Sequence, residues 1–370
     1  MTPRILVETA PGEARVAVAA GDDLLDFALW RPGAPDGVGD LHRGRVLARV
    51  PAMAGSFVAI AGAEGFLPDS DVPDGAASLG AGTMLGVRVS RAAQGGKGPR
   101  LTARLTGAEA ALAAAAAGPE QRLRAGPGAP ERLAAAWPDA PVLVDDPALV
   151  AALRARLGER VRLVRPAFDD AIAGAVASLA EASAALPGGA VAHFHPTPAL
   201  VAIDIDAGRA SAAAAGKSTA QAALNRAVLP ALARQIRLRN LSGAILIDFA
   251  GMAAKRRASL TLPLAAALAE DPLRPRLLGF TALGLAEILR PRVHPPLHEL
   301  LTGPHAAGLA ALRAAAAEPG RGALRAAPAV ISALQADPCA LPDLKRRTGT
   351  SLVLRSDPTL VATAWELERP

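Results

Sequence analysis

The sequence predicts a multidomain α+β protein, and three stretches carry that expectation. Residues 201–206, Val-Ala-Ile-Asp-Ile-Asp, alternate as a strand, with Val201, Ile203 and Ile205 on one face and Ala202, Asp204 and Asp206 on the other. A helical run follows over about residues 219–239, and then Ala-Ile-Leu-Ile-Asp at 244–248, which reads as a fully buried strand ending in a carboxylate. Strand, crossover helix and strand make a βαβ unit, which can gather Asp204, Asp206 and Asp248 at one sheet edge. Between residues 40 and 105, five short strands with glycine turns suggest a small closed barrel of the OB type. Residues 3–29 alternate as three more strands, a meander.

Composition sets the frame. The 370 residues, 51% hydrophobic, suffice for a large core divided among several domains. No apolar run approaches the length of a bilayer span and the N-terminus lacks a signal-peptide pattern, so a cytoplasmic protein with no membrane span is expected. The single cysteine, Cys339, excludes an internal disulfide framework and fits a reducing compartment. Lys and Arg exceed Asp and Glu by 40 to 34, a modest excess that agrees with a polyanionic partner without requiring one.

Taken in order, residues 4–8, 13–19 and 24–29 are the meander strands. Residues 44–50, 56–60, 65–68, 84–90 and 100–104 are the barrel strands, and Phe57 and Phe66, two of seven phenylalanines, fall among them. Each is either barrel core or a platform for a nucleic-acid base. Gln94-Gly-Gly-Lys-Gly98 reads as a mobile, basic loop that presents Lys97. Residues 107–139 are rich in Ala, Gly and Pro and read as a low-complexity linker with a short helix near 109–117. A strand at 141–146, a helix at 147–157, a strand at 160–164 and a helix at 168–185 follow. His193 and His195 share a face of the next strand, and His294, His298 and His305 form a looser trio; both sets read more simply as ordinary hydrogen-bonded histidines than as metal ligands. Pro230 should kink or interrupt the crossover helix. Lys255, Arg256 and Arg257 follow the 244–248 strand, where they either meet phosphates or form a solvated charge run.

The three carboxylates have two readings as well. Asp at a strand end is commonly a helix cap or turn residue. Three of them in apolar company repel one another unless a cation neutralises them, and hard oxygen ligands suit Mg²⁺.

Val201-Ala-Ile-Asp-Ile-Asp206, Ala233-Arg-Gln-Ile-Arg-Leu-Arg-Asn-Leu-Ser-Gly243 and Ile245-Leu-Ile-Asp-Phe-Ala-Gly-Met252 resemble the catalytic core of the ribonuclease E/G family. Asn225 matches an Asn of that family, and the stretch from Gly279 to Arg292, with its Gly-Leu-x-Glu-x-x-Arg-x-Arg pattern, continues the likeness. The resemblance implies an RNase H-like subdomain at 1–36 and 140–200 and an inserted S1-type OB barrel at 37–106. A DNase I-like α/β catalytic subdomain at 201–305 and a reduced C-terminal α/β domain at 306–370 would complete the chain. It implies a Mg²⁺-dependent endoribonuclease acting on single-stranded RNA. Asp204 and Asp248 would hold the metal, Asp206 and Asn225 would order its ligand shell and the attacking water, and Phe57, Phe66, Lys97, Lys255 and Arg256 would bind RNA.

The chain also departs from the family. Asp206 replaces the usual Asn, the region after the barrel is too short for the family's 5′-end sensor, and the paired cysteines of its zinc-link are absent. Any oligomer must therefore use another surface. An RNA-binding protein of the same fold with weak or lost nuclease activity is the alternative, and a DNA nuclease on the same carboxylates a third reading.

Overall fold

A computed structural model describes residues 1–73, 75, 79–208, 217–252, 254–318 and 322–369. The chain divides into two units, one of Met1–Ala34, Ala129–Pro291 and Pro296–Pro370, the other of Pro35–Gly128 and Arg292–Pro295. Among the described residues no helix is long and apolar enough to cross a membrane.

In the first unit the expected meander forms from Arg4–Ala10, Glu13–Ala20 and Asp23–Trp30. Val142–Val144 and then Val161–Leu163 extend it in parallel from the Arg4–Ala10 edge. Period-2 alternation buries both faces: Ile5, Val7, Val16 and Val18 pack with Leu133 and Val150, and Leu6, Ala17 and Phe27 pack with Ile172 and Val176. The helix Pro147–Leu157 starts where Asp146 accepts the Leu149 N–H, with proline in the first turn, and stops at Gly158.

The second sheet of this unit has six strands. Their order is Ser183–Ala185, Val191–Pro196, Val201–Asp206, Gly243–Asp248, Ala286–Arg290 and Arg276–Phe280. Val201–Asp206 and Gly243–Asp248 run parallel, joined by the helix Lys217–Leu238, so the βαβ unit is present. That helix and Thr261–Leu268 cover one face, burying Ile203, Ile205, Ile245, Ile247, Leu232, Ile236 and Leu264.

Two expectations need correction here, and a third is narrowed. The Gly243–Asp248 strand is not buried on both faces; Ile245 and Ile247 point into the core while Asp248 is exposed. Among the described residues only one face of the sheet is covered, and an apolar run by itself does not report that. Of the two outcomes expected at Pro230, a kink or an interruption, the interruption does not occur: the crossover helix runs through it as 22 residues. The helix expected to reach residue 185 stops at Ala177, and Ser183–Ala185 is an edge strand. The cause lies in Arg239, which donates to the carbonyls of Ser178, Leu179, Glu181 and Ser183, groups a longer helix would have paired internally. The same guanidinium lies 4.4 Å over the Phe194 ring.

The C-terminal part packs helices Gly303–Ala317, Pro328–Ala336 and Ala340–Thr348 on a small sheet ordered Val353–Ser356, Ala323–Ala326, Trp365–Glu368.

All five expected barrel strands occur in the second unit: Leu41–Val50, Gly55–Ile60, Ala63–Pro68, Met84–Arg91 and Arg100–Thr102. Leu41–Val50 pairs with both Met84–Arg91 and Gly55–Ile60, which closes the barrel around Val46, Val58, Leu67, Val87, Val89 and Leu101. A closed five-stranded barrel fits the OB type. The stretch read as low-complexity linker or reduced sensor region, with a short helix, holds that helix and further elements. Gly107–Ala115 is a helix opened by a reciprocal Thr106–Glu109 capping box, Gln121–Arg124 is a strand added to Leu41–Val50, and Ala129–Ala136 is a helix of the first unit.

Candidate functional site

Register brings two of the three carboxylates side by side. Asp204 and Asp248 are direct partners on neighbouring parallel strands, about 4.8 Å apart in the pairing direction. Both are exposed on the uncovered face of the sheet. Asp206 lies one pleat further on the same face, where its Oδ1 accepts the Gly208 N–H at 2.9 Å and shapes the turn that leaves the strand. On the other side of Asp204, His193 is the cross-strand partner, half-buried, and His195 is exposed.

Asp248 already has one counter-charge. Arg257 Nη1 donates to its Oδ1 at 2.7 Å and to the Gly284 carbonyl at 2.7 Å, while Nε holds the Met252 carbonyl at 2.8 Å. The sequence reading placed Arg257 in a charge run but not on the carboxylate; the turn and short helix Ala254–Arg257 that follow the strand are what return it there. Arg256 is exposed, and the side chain of Lys255 lies outside the described residues. Asn225 is fully buried on the crossover helix, its Nδ2 donating to the Ala250 carbonyl at 2.9 Å. It thus fixes the backbone two residues beyond Asp248.

Among the described residues no three His, Cys, Asp or Glu side chains stand close enough to cage a metal ion. Two adjacent, solvent-facing carboxylates are nevertheless the donor set Mg²⁺ takes when water and substrate phosphates fill its other positions. The residues fit that ion. The remaining histidines are not gathered into a site: His294 pairs with Asp36 at 2.5 Å and His305 with Asp337 at 2.9 Å.

On the barrel, Phe57 and Phe66 are paired across neighbouring strands, edge to face, with ring centroids 5.6 Å apart. Val58 and Leu67, the next residue along each strand, fill the core, so the two rings face outward and stay partly exposed. The barrel-core reading is thereby excluded. Gly55 makes room for them, since a Cβ there would sit 2.3 Å from the Phe66 ring. Lys97 is exposed, but its loop is not open: Gln94 and Lys97 exchange two backbone hydrogen bonds around Gly95 and Gly96, both at positive φ.

Residues 147–293 match the model of the Ribonuclease E/G family. Over that segment the chain is similar to the ribonuclease E/G family. The segment holds Asp204, Asp206, Asn225, Asp248 and Arg257 and leaves out residues 35–128. Among relatives, the chain is 35% identical over 127 residues to Ribonuclease E of Nostoc sp. strain PCC 7120, covering 34% of this chain and 18% of that protein. It is 31% identical over 173 residues to Ribonuclease E of Escherichia coli strain K12, covering 43% of this chain and 16% of that protein. It is 42% identical over 72 residues to Ribonuclease G of the same strain, covering 19% and 15%. The chain therefore spans less than a fifth of the length of the ribonuclease E/G relatives it matches.

Proposed function

We propose that the protein is a Mg²⁺-dependent endoribonuclease that cleaves single-stranded RNA. The observation that carries this reading is the Asp204–Asp248 register pair, open to solvent, inside the segment that matches the family. The six-stranded sheet is read as the DNase I-like catalytic subdomain. The five-stranded sheet is read as an RNase H-like subdomain with the barrel inserted into it.

Asp204 and Asp248 would hold the ion, which when bound would neutralise charge on the scissile phosphate and acidify a water. Arg257 keeps one Asp248 oxygen in a fixed direction, leaving the second to bind. Asn225 holds the backbone behind Asp248, and Asp206 holds the turn beyond Asp204. Phe57 and Phe66 offer stacking faces to bases, and Lys97 a charge to the backbone.

The test is incubation of an A/U-rich single-stranded oligoribonucleotide with the full chain in Mg²⁺ and in EDTA, beside Asp248→Asn. Cleavage should occur only with Mg²⁺ and wild-type protein, while the variant should bind the RNA undiminished. Equal cleavage by variant and wild type would remove the metal assignment. Binding without cleavage by the wild type would favour the RNA-binding alternative.

A further inference from the structure

The barrel carries more than the two rings. Register places four side chains at one level across four strands: Phe57 opposite Phe66, Phe66 opposite Arg100, and Arg100 opposite Arg91. Leu101, next to Arg100, is core, so Arg100 faces outward like the rings. The pairing slips between Val89 and Arg91, a bulge that re-aims the Arg91 side chain at the point where the strand leaves the barrel. A third guanidinium arrives from far along the chain. Residues Arg292–Pro295 fold with the barrel unit, and the Val293 carbonyl accepts the Ala92 N–H at 2.9 Å, which seats Arg292 beside Arg91.

Three like charges in one place need an explanation. Burial, and then the charges of Arg100 and Arg292, hold the Arg91 guanidinium below its ordinary pKa. Asp71 pairs with Arg100 at 3.1 Å, but among the described residues Arg91 and Arg292 have no acidic partner. Such a cluster is unfavourable in the free protein and favourable once a polyanion lies on it. Planar guanidiniums suit phosphate, which they bind through two parallel hydrogen bonds.

We propose that Arg91, Arg100 and Arg292 form a phosphate-binding cluster that continues the Phe57–Phe66 platform and fixes the path of a single RNA strand across the barrel. The proposal rests on the RNA-binding part of the function proposed above and adds the residues that set direction. Bases stack at the ring end, and the backbone is gripped at the arginine end. The row covers three inter-strand steps, about 14 Å. The turn that carries Lys97 springs from between the strands bearing Arg91 and Arg100, so its charge adds to the same end.

The experiment measures binding of a fluorescent A/U-rich 12-nucleotide RNA to the full chain in EDTA, over a series of salt concentrations. Arg91→Gln and Arg292→Gln should each weaken binding roughly three- to tenfold at 0.1 M salt and flatten the slope of log Kd against log salt by about 0.7. Arg91→Lys and Arg292→Lys, which keep the charge, should retain the wild-type slope and so separate lost charge from lost folding. Phe57→Ala should weaken binding and leave the slope unchanged. If Phe57→Ala weakens binding but neither Gln variant alters affinity or slope, the cluster is not a phosphate site, and the RNA-binding reading survives without it. If the wild-type protein does not bind the RNA at all, that reading fails and the cluster proposal fails with it.

Discussion

Asn225 reaches the candidate site only through backbone. Its family match points toward a role next to water, yet its side chain is sealed in the core and grips the Ala250 carbonyl. Spacing along a helix identifies the residue but not its depth, because depth depends on which neighbours the sheet presents. Asn225→Leu should leave that buried carbonyl without its donor and lower stability by about 1–3 kcal/mol, read as a fall in Tm. An unchanged Tm would mean that the Ala250 carbonyl finds water instead. Arg257 is the converse case. Its identity in a Lys-Arg-Arg run says nothing of Asp248, and only the chain reversal after the strand brings the two together.

The helix Gly107–Ala115 was legible in part. Thr106 and Glu109 have the spacing of a capping box, but the surrounding Ala, Gly and Pro gave the stretch the look of a linker. What the residues alone could not reveal is where Glu109 ends up. Burial alone would raise its carboxyl pKa, but the Thr106 N–H and the Arg88 guanidinium outweigh that and hold it at about 2. Arg124 also pairs with it, at 2.6 Å. A carboxyl depressed in the folded state stabilises the fold above its unfolded pKa and loses that contribution as pH falls through the folded one. With the carboxyl shifted from the usual 4.5 to about 2, that contribution is lost between roughly pH 5 and pH 2. Glu109→Gln should lower stability at neutral pH and flatten the acid limb of the urea midpoint across that window; an unchanged acid limb would show that Glu109 does not set it.

The five barrel strands and the βαβ unit could be read directly, since alternation and glycine turns are local signals. How the segment after the barrel is shared between the two units could not, because that depends on contacts far apart in sequence. It bears on RNA ends. Arg122 and Arg124 lie on a strand and, though about half exposed, are paired with Asp40 and Glu109. With those charges engaged, no sensor for a 5′-phosphate is expected there, and 5′-hydroxyl and 5′-monophosphate forms of one RNA should be cut within a few-fold of each other. A preference above tenfold, about 1.4 kcal/mol, would reveal a sensor elsewhere. The barrel unit also ties its own ends together: Asp40 Oδ1 accepts the Gly126 N–H at 2.6 Å, and a Cβ on Gly126 would meet the Val38 carbonyl at 2.2 Å. Its entry and exit are thus knotted at a single point, like the two leads of a plug. For the surrounding sheet, ninety-odd inserted residues therefore behave entropically as a connection only a few residues long. A guest that closes its own loop asks little of the host's chain at that point, and only the short 292–295 excursion adds a second tie.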